Sequence, residues 1–182
     1  LGYGCGGFGL KAQPLPPVGR ASHVRKMFAD QLIEPFGAVV LTRSAGGLDP
    51  YVAESAIHYG ARVVWMPSNH SKWHSDYFGI ADYPQLGRPK PQLAGAGLTI
   101  LDESGRLKPE VRSIVVVVAD AGVFLATGHL SVDEIRALHD AAIVCGLVTV
   151  LVTHATCATC TPSLEGPKDM IAKGAHAASV SV

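Results

Sequence analysis

Residues 123–155, VFLATGHLSVDEIRALHDAAIVCGLVTVLVTHA, constrain the fold more than any other stretch, because two short apolar runs flank one amphipathic helix. Runs this short and β-branched suit strands buried on both faces. Between them Ser131 and Glu134 form an S-x-x-E capping box, with Leu130 and Ile135 spaced as a hydrophobic staple. Val132, Ile135, Leu138, Ala142 and Cys145 then mark one helical face, and Gly146 supplies the stop. A strand–helix–strand unit of this kind joins parallel neighbours through a right-handed crossover. His129 and His154, each just past a strand, therefore open onto the same carboxyl edge of the sheet. That edge is where α/β proteins gather ligands and catalytic groups.

The same alternation runs through the chain. Strands are expected near 8–12, 38–42, 62–66, 123–127, 147–153 and 177–182, each but the last followed by a helix. Val24, Met27, Phe28 and Leu32 mark the buried stripe of the first helix. Asp49 and Pro50 set the start of the second as N-cap and first-turn proline. Residues 98–107 read as a hairpin about Ser104-Gly105, and Pro109 opens a helix that ends near Gly122. This order argues for a parallel sheet covered by helices. A doubly wound open sheet and a β/α barrel both fit it. The barrel is favoured, because Lys11, Arg43, His129 and His154 come from the ends of different strands, as chemistry collected around a ring would. The fold class is thus α/β, a (β/α)8 TIM-barrel-like domain spanning 1–182, incomplete at about six parallel strands.

Composition narrows the partners. The chain of 182 residues is enough for one sizeable core. Lys plus Arg and Asp plus Glu balance at 15 each, which gives no basic groove for nucleic acid and no charge for a membrane surface. No apolar run approaches the roughly 18 residues of a membrane span. The four cysteines lack the layout of a secreted disulfide framework, which points to a reducing, cytoplasmic setting. The chain opens on Leu1 in mid-pattern, as a fragment or a chain without its ends would. An open barrel leaves strand edges to be covered, so a homo-oligomer is expected.

Several motifs invite chemistry. Gly2, Gly4 and Gly7 spell G-x-G-x-x-G, but no strand precedes them and Pro14, Pro16 and Pro17 follow, so a turn is the better reading than a nucleotide site. Lys11 stands at the end of the first strand, in what looks like a buried run. Arg43 leads a glycine-containing loop into a helix N-terminus, a place that suits an anion or only a tight connection. His70 and His74 sit four apart with Trp73 between them. Ser, Asn and Gly nearby make this a poor helix, and an active-site wall or a solvated loop both fit it. Cys157 and Cys160 are spaced as a redox pair or half a zinc site, yet no second ligand pair matches, so free cysteines are the plainer reading.

The segments GFGLKAQ, GAVVLTRSAGGLDPYVAESAIHYGARVVWMP, ILDESGRLKPEV and LATGHLSVDEIRAL…VTVLVTH resemble an uncharacterised family of amidohydrolase-like, metal-dependent TIM barrels. The resemblance covers most of residues 8–154 and is most specific in the RSAGGL…VVWMP and ATGHLS blocks. If residues 8–12 are the second strand of such a barrel, His129 and His154 match the metal-ligand positions after the fifth and sixth strands. The first-strand H-x-H of the family is absent, and no eighth-strand aspartate is assigned. Gln13 stands where relatives carry histidine, and Ala155 where proline is common.

The resemblance implies a divalent metal, zinc above others, held by His129 and His154. The third ligand would come from Lys11 (neutral or carboxylated), His70, His74 or residues preceding the chain. The implied function is hydrolysis of a small amide, ester or lactone-like substrate by a metal-bound hydroxide. Arg43 or Lys11 would orient an anionic part of the substrate, and His70 or His74 would shuttle the proton. The alternative is a catalytically degenerate barrel that binds a small anionic ligand or a partner subunit.

Overall fold

Short β-branched runs separated by amphipathic helices assemble into a single parallel sheet in the computed structural model, which describes residues 6–12, 16–29, 34–78, 96–154 and 165–178. The strands are β1 (Gly7–Leu10), β2 (Glu34–Val40), β3 (Ala61–Trp65), β4 (Phe124–Ala126), β5 (Val150–Thr153) and β6 (His176–Ala178). The helices are α1 (Val18–Met27), α2 (Pro50–His58), α3 (Lys72–Phe78), α4 (Pro109–Ala121), α5 (Val132–Val144) and α6 (Glu165–Ala172). Every strand pairs in parallel with its neighbour in sequence, so the sheet order is β1-β2-β3-β4-β5-β6.

That order decides between the two sheets the sequence allows. A doubly wound sheet reverses at a switch point and carries helices on both faces. Here the order never reverses, and α1, α2, α4, α5 and α6 share one face. Ala53 of α2, Val115 of α4, Leu138 of α5 and Met170 of α6 pack in one core with Val39, Val64, Leu125 and Val152. The opposite face holds a separate cluster of Ala38, Val63 and Ala126, flanked by Phe36, Trp65 and Leu151. A sequential parallel sheet with one-sided crossovers is compatible with an incomplete β/α barrel. Among the described residues the wall is open, with β1 and β6 at its edges.

Local chemistry places the helices. The Asp49 side chain accepts the Tyr51 amide hydrogen ahead of Pro50, and both arms of the Ser131–Glu134 capping box are formed. Gly122 closes α4 in the left-handed region at φ 62°. The first helix differs from expectation: Val18 and Ala21 are its buried residues, whereas Met27 and Phe28 are exposed. The cause is Gly37. A Cβ there would stand 2.7 Å from Val18 Cα, so the missing side chain lets the first turn of α1, rather than its last, lie on β2. The β1 strand is less buried than its composition suggests, with Phe8 44% exposed on an edge. Cys145 is also exposed, because it caps α5 instead of continuing its buried stripe. The expected hairpin reduces to one bridge, Leu101 to Leu107, about a turn in which Asp102 Oδ1 accepts from the Ser104 and Arg106 amides. Among the described residues no helix is long and apolar enough to cross a membrane.

Candidate functional site

The carboxyl ends of β3, β4 and β5 are laced together before any candidate side chain is considered. Gly128 follows β4 at φ 62°, and a Cβ there would press on the carbonyl oxygens of Met66 and Pro67. Glycine lets the turn rest against the exit of β3, where the His129 amide donates to the Pro67 carbonyl at 3.0 Å. Thr153 ties in β5: its Oγ1 accepts from the Gly128 amide at 3.3 Å, and its amide donates to Thr127 Oγ1 at 3.0 Å. His154 comes next, at φ 54°, the only non-glycine residue in the left-handed region among those described. Such a conformation is uncommon for a residue with a side chain, and it turns the chain sharply as the strand ends.

The third histidine arrives on an element the sequence argues against. Lys72–Phe78 forms α3 despite the polar residues around it. Ser71 makes this possible: its Oγ accepts the His74 amide hydrogen at 3.1 Å, the bond an N-cap makes, and its carbonyl accepts from the Ser75 amide. The Lys72–Asp76 pair spans one helical turn at 2.6 Å. His70 precedes the helix, so the two histidines do not share a helical face. Ser71 is wholly buried and its hydroxyl also donates to the His129 carbonyl at 2.6 Å. One hydroxyl thereby fixes the backbone of His74 to that of His129.

The result is a row of three imidazoles. The His74 and His129 rings lie 5.0 Å apart between centroids, and His129 and His154 lie 5.3 Å apart, edge to face. His74 and His129 are buried, and their Nδ1 atoms share a hydrogen bond at 3.0 Å. Burial pushes the His129 pKa down to about 3, helped by His74, His154 and Lys11. Burial and then His70 bring His74 down to about 4, and burial and then Lys11 lower His154. All three rings are therefore neutral at neutral pH, the form in which imidazole ligates metals.

The other candidates frame this row. Lys11 lies just beyond β1 with Nζ 3.7 Å from the centroid of the Trp65 ring. That cation–π contact holds a positive charge near His129 and His154. The Arg43 amide donates to His70 Nδ1 at 3.2 Å, and its guanidinium donates to the Ala96 carbonyl. Arg43 is thus built into the loop wall that positions His70. Gln13, Ala155, Cys157 and Cys160 lie outside the described residues, as do Gly2 and Gly4 of the glycine motif.

Two site-forming residues escape sequence reasoning about chemistry. Ser71 is one. Glu134 is the other: beyond its role in the capping box, its buried carboxylate accepts from Thr99 Oγ1 at 2.7 Å and the Ile100 amide at 3.0 Å. It thereby ties α5 to the segment that meets Ser71 through the Leu98 bridge. The only signal for either was its capping position.

The donor chemistry suits a divalent cation, since neutral imidazoles are the commonest metal ligands. The count does not close: among the described residues no group of three or more His, Cys, Asp or Glu is placed to hold one ion.

These features define an α/β protein whose parallel, barrel-like wall carries a histidine cluster at its carboxyl edge. The chain belongs to DUF6282, a family of unknown function, whose sequence profile matches residues 2–178. No curated protein and no solved structure matches the chain.

Proposed function

We propose that the protein is a metal-dependent hydrolase of a small amide, ester or lactone-like substrate, and that its wall is part of a (β/α)8 barrel. The observation that supports this reading is the row of imidazoles held neutral by burial, two of which follow the adjacent parallel strands β4 and β5. His129 and His154 bind the metal, most suitably zinc, and a ligand from outside the described residues completes the set. The metal, when bound, supplies Lewis acidity and an activated water. Lys11, steadied on Trp65, orients an anionic part of the substrate. His70 accepts the Arg43 amide at Nδ1, so its neutral ring carries the proton on Nε2 and donates to a substrate oxygen from there. Arg43 acts through His70 rather than on the substrate. The apolar inner face beneath, Ala38, Val63 and Ala126, excludes water from below.

The test is metal content by plasma mass spectrometry on untagged protein, beside a His129→Ala, His154→Ala double variant. Near-stoichiometric metal that the double variant loses, with hydrolysis of at least one ester, lactone or amide in a screened panel, is the expected result. Full metal occupancy in the variant would sink the assignment. The incomplete ligand count favours a second reading, a degenerate barrel that binds a small anion without turnover. That reading predicts no metal and no hydrolysis, with anion binding lost in Lys11→Ala.

A further inference from the structure

Resting on the assignment of Lys11 to an anionic group, which both readings above share and which needs no metal, we propose that Trp65 is a further binding residue. Its indole Nε1–H and the Lys11 ammonium together hold the carboxylate of a short, apolar monocarboxylic acid. Trp65 ends β3 on the inner face of the sheet, in register with Val40 of β2 and Ala126 of β4. Its Nε1 is buried, and among the described residues nothing accepts its hydrogen. An indole N–H can only donate, it is fixed in the ring plane, and a buried one ordinarily has an acceptor. Ser68 and Ser75 also bury hydroxyls without partners, but a hydroxyl turns about its bond and can donate or accept. The Trp65 donor has neither freedom, so it calls for an oxygen brought to it.

Lys11 shows what kind of oxygen. It follows the edge strand β1, yet its Nζ lies 3.7 Å from the centroid of the Trp65 ring, so its side chain reaches past β2 to β3. The indole nitrogen belongs to that same residue, which puts both donors within reach of one small oxyanion. One carboxylate oxygen in the ring plane takes the indole hydrogen, and the second, tilted towards the ring face, meets the ammonium. The charge of Lys11 is also felt at His129 and His154, so the ammonium stands beside the histidine row. The charge count sets the class. One ammonium beside imidazoles that are neutral at neutral pH balances a single negative charge, which suits a carboxylate better than a phosphate dianion. Arg43 adds no second cation, because its guanidinium is given to the Ala96 carbonyl. Ala38, Val63 and Ala126 cluster with Trp65 on this face, and their side chains have no hydrogen bond to give. They are buried, which suits a short apolar tail.

Proton–nitrogen correlation spectra of the full chain, labelled with nitrogen-15 at the tryptophan indoles, read this donor directly. The chain has two tryptophans, Trp65 and Trp73, and the peak lost in Trp65→Phe assigns both. Titration with propanoate should move the Trp65 indole proton downfield and saturably, and leave that of Trp73 in place. Propanamide, similar in shape but uncharged, should move neither at the same concentration. By calorimetry, Trp65→Phe, which keeps an aromatic face for Lys11, should bind propanoate roughly tenfold or more weakly, the size of a lost hydrogen bond to a charged group. Lys11→Gln should bind it more weakly still. Propanoate bound with the Trp65 peak unmoved, and bound equally by Trp65→Phe, would overturn the indole donor and leave the Lys11 assignment standing. A moving peak with undiminished affinity in Lys11→Gln would overturn the paired site and the Lys11 assignment together. Inorganic phosphate bound in preference to propanoate, or no propanoate bound at all, would overturn the carboxylate class.

Discussion

A methyl group at Gly128 meets two obstacles together. The left-handed φ of 62° costs an L-residue about 1–2 kcal/mol, and the Met66 and Pro67 carbonyl oxygens already occupy the space. Gly128→Ala should therefore destabilise the protein by roughly 3 kcal/mol or more in urea unfolding, as these terms combine. It should also displace the His129 amide from Pro67. Gly146→Ala, where φ is 71° but nothing stands within 4 Å, should cost only the backbone term. Equal losses at the two sites would refute the steric part. The buried histidines carry a second prediction at this scale. Their folded pKa values, about 3 for His129 and about 4 for His74, lie below the unfolded value near 6.5. Between those limits the unfolded chain binds more protons than the folded one. Stability is therefore full above about pH 6.5 and falls as the solution is acidified, by up to about 1.4 kcal/mol per pH unit for each ring. Urea midpoints at pH 7 and pH 5 should differ clearly in the native protein. His129→Phe should reduce the difference, and a midpoint independent of pH over that range in the native protein would contradict the burial of neutral rings.

At the scale of the element, α5 shows what a sequence discloses and what it withholds. Its N-terminus was legible because a capping box is local: Ser131 and Glu134 are three residues apart, and the helix itself brings them together. The bonds from the Glu134 carboxylate to Thr99 and Ile100 were not, because they join residues 34 and 35 positions away that only the tertiary fold places nearby. The same limit explains α3. Its propensity is poor, and it exists because Ser71 is pinned by His129 and by the Leu98 bridge, neither of which leaves a trace in local composition. The α1 stripe failed for a related reason, since the glycine that decides which turn docks belongs to β2. By contrast, His129 and His154 were legible as a pair, because a crossover fixes the end of the sheet on which both open. Glu134→Ala orphans the buried Ile100 amide as well as uncapping α5, and should cost about 2–4 kcal/mol. Ser131→Ala leaves the Ile100 contact in place and should cost about 1 kcal/mol. Thermal unfolding of both variants checks the order, and a larger loss in Ser131→Ala would show that the tie to Thr99 and Ile100 carries little.

For the whole molecule, sequential strand order has a consequence that a reversing sheet would lack. Among the described residues the edges β1 and β6 are also the first and last strands in sequence, and the inner strands come from between them. Opening from either end therefore breaks one ladder at a time without disturbing the next. The core residues that are fully buried, Val39, Val64, Leu125 and Val152, lie on the four inner strands, whereas Phe8 on β1 is substantially exposed. Local opening needs little free energy where few buried contacts are broken. Amide hydrogen exchange should accordingly be slowest on β3 and β4, intermediate on β2 and β5, and fastest among the strands on β1 and β6. The site inherits this gradient. His129 follows β4 and His74 is bonded to it, so this pair rests on the most protected part of the sheet, while His154 follows β5 and Lys11 follows the edge strand β1. Lys11 is held at the site by its contact with Trp65. Trp65→Ala should raise exchange across β1 with little change on β4. Protection of β1 equal to that of β3 in the native protein would show that another chain segment or a second subunit covers this edge, and that the open wall is closed in solution.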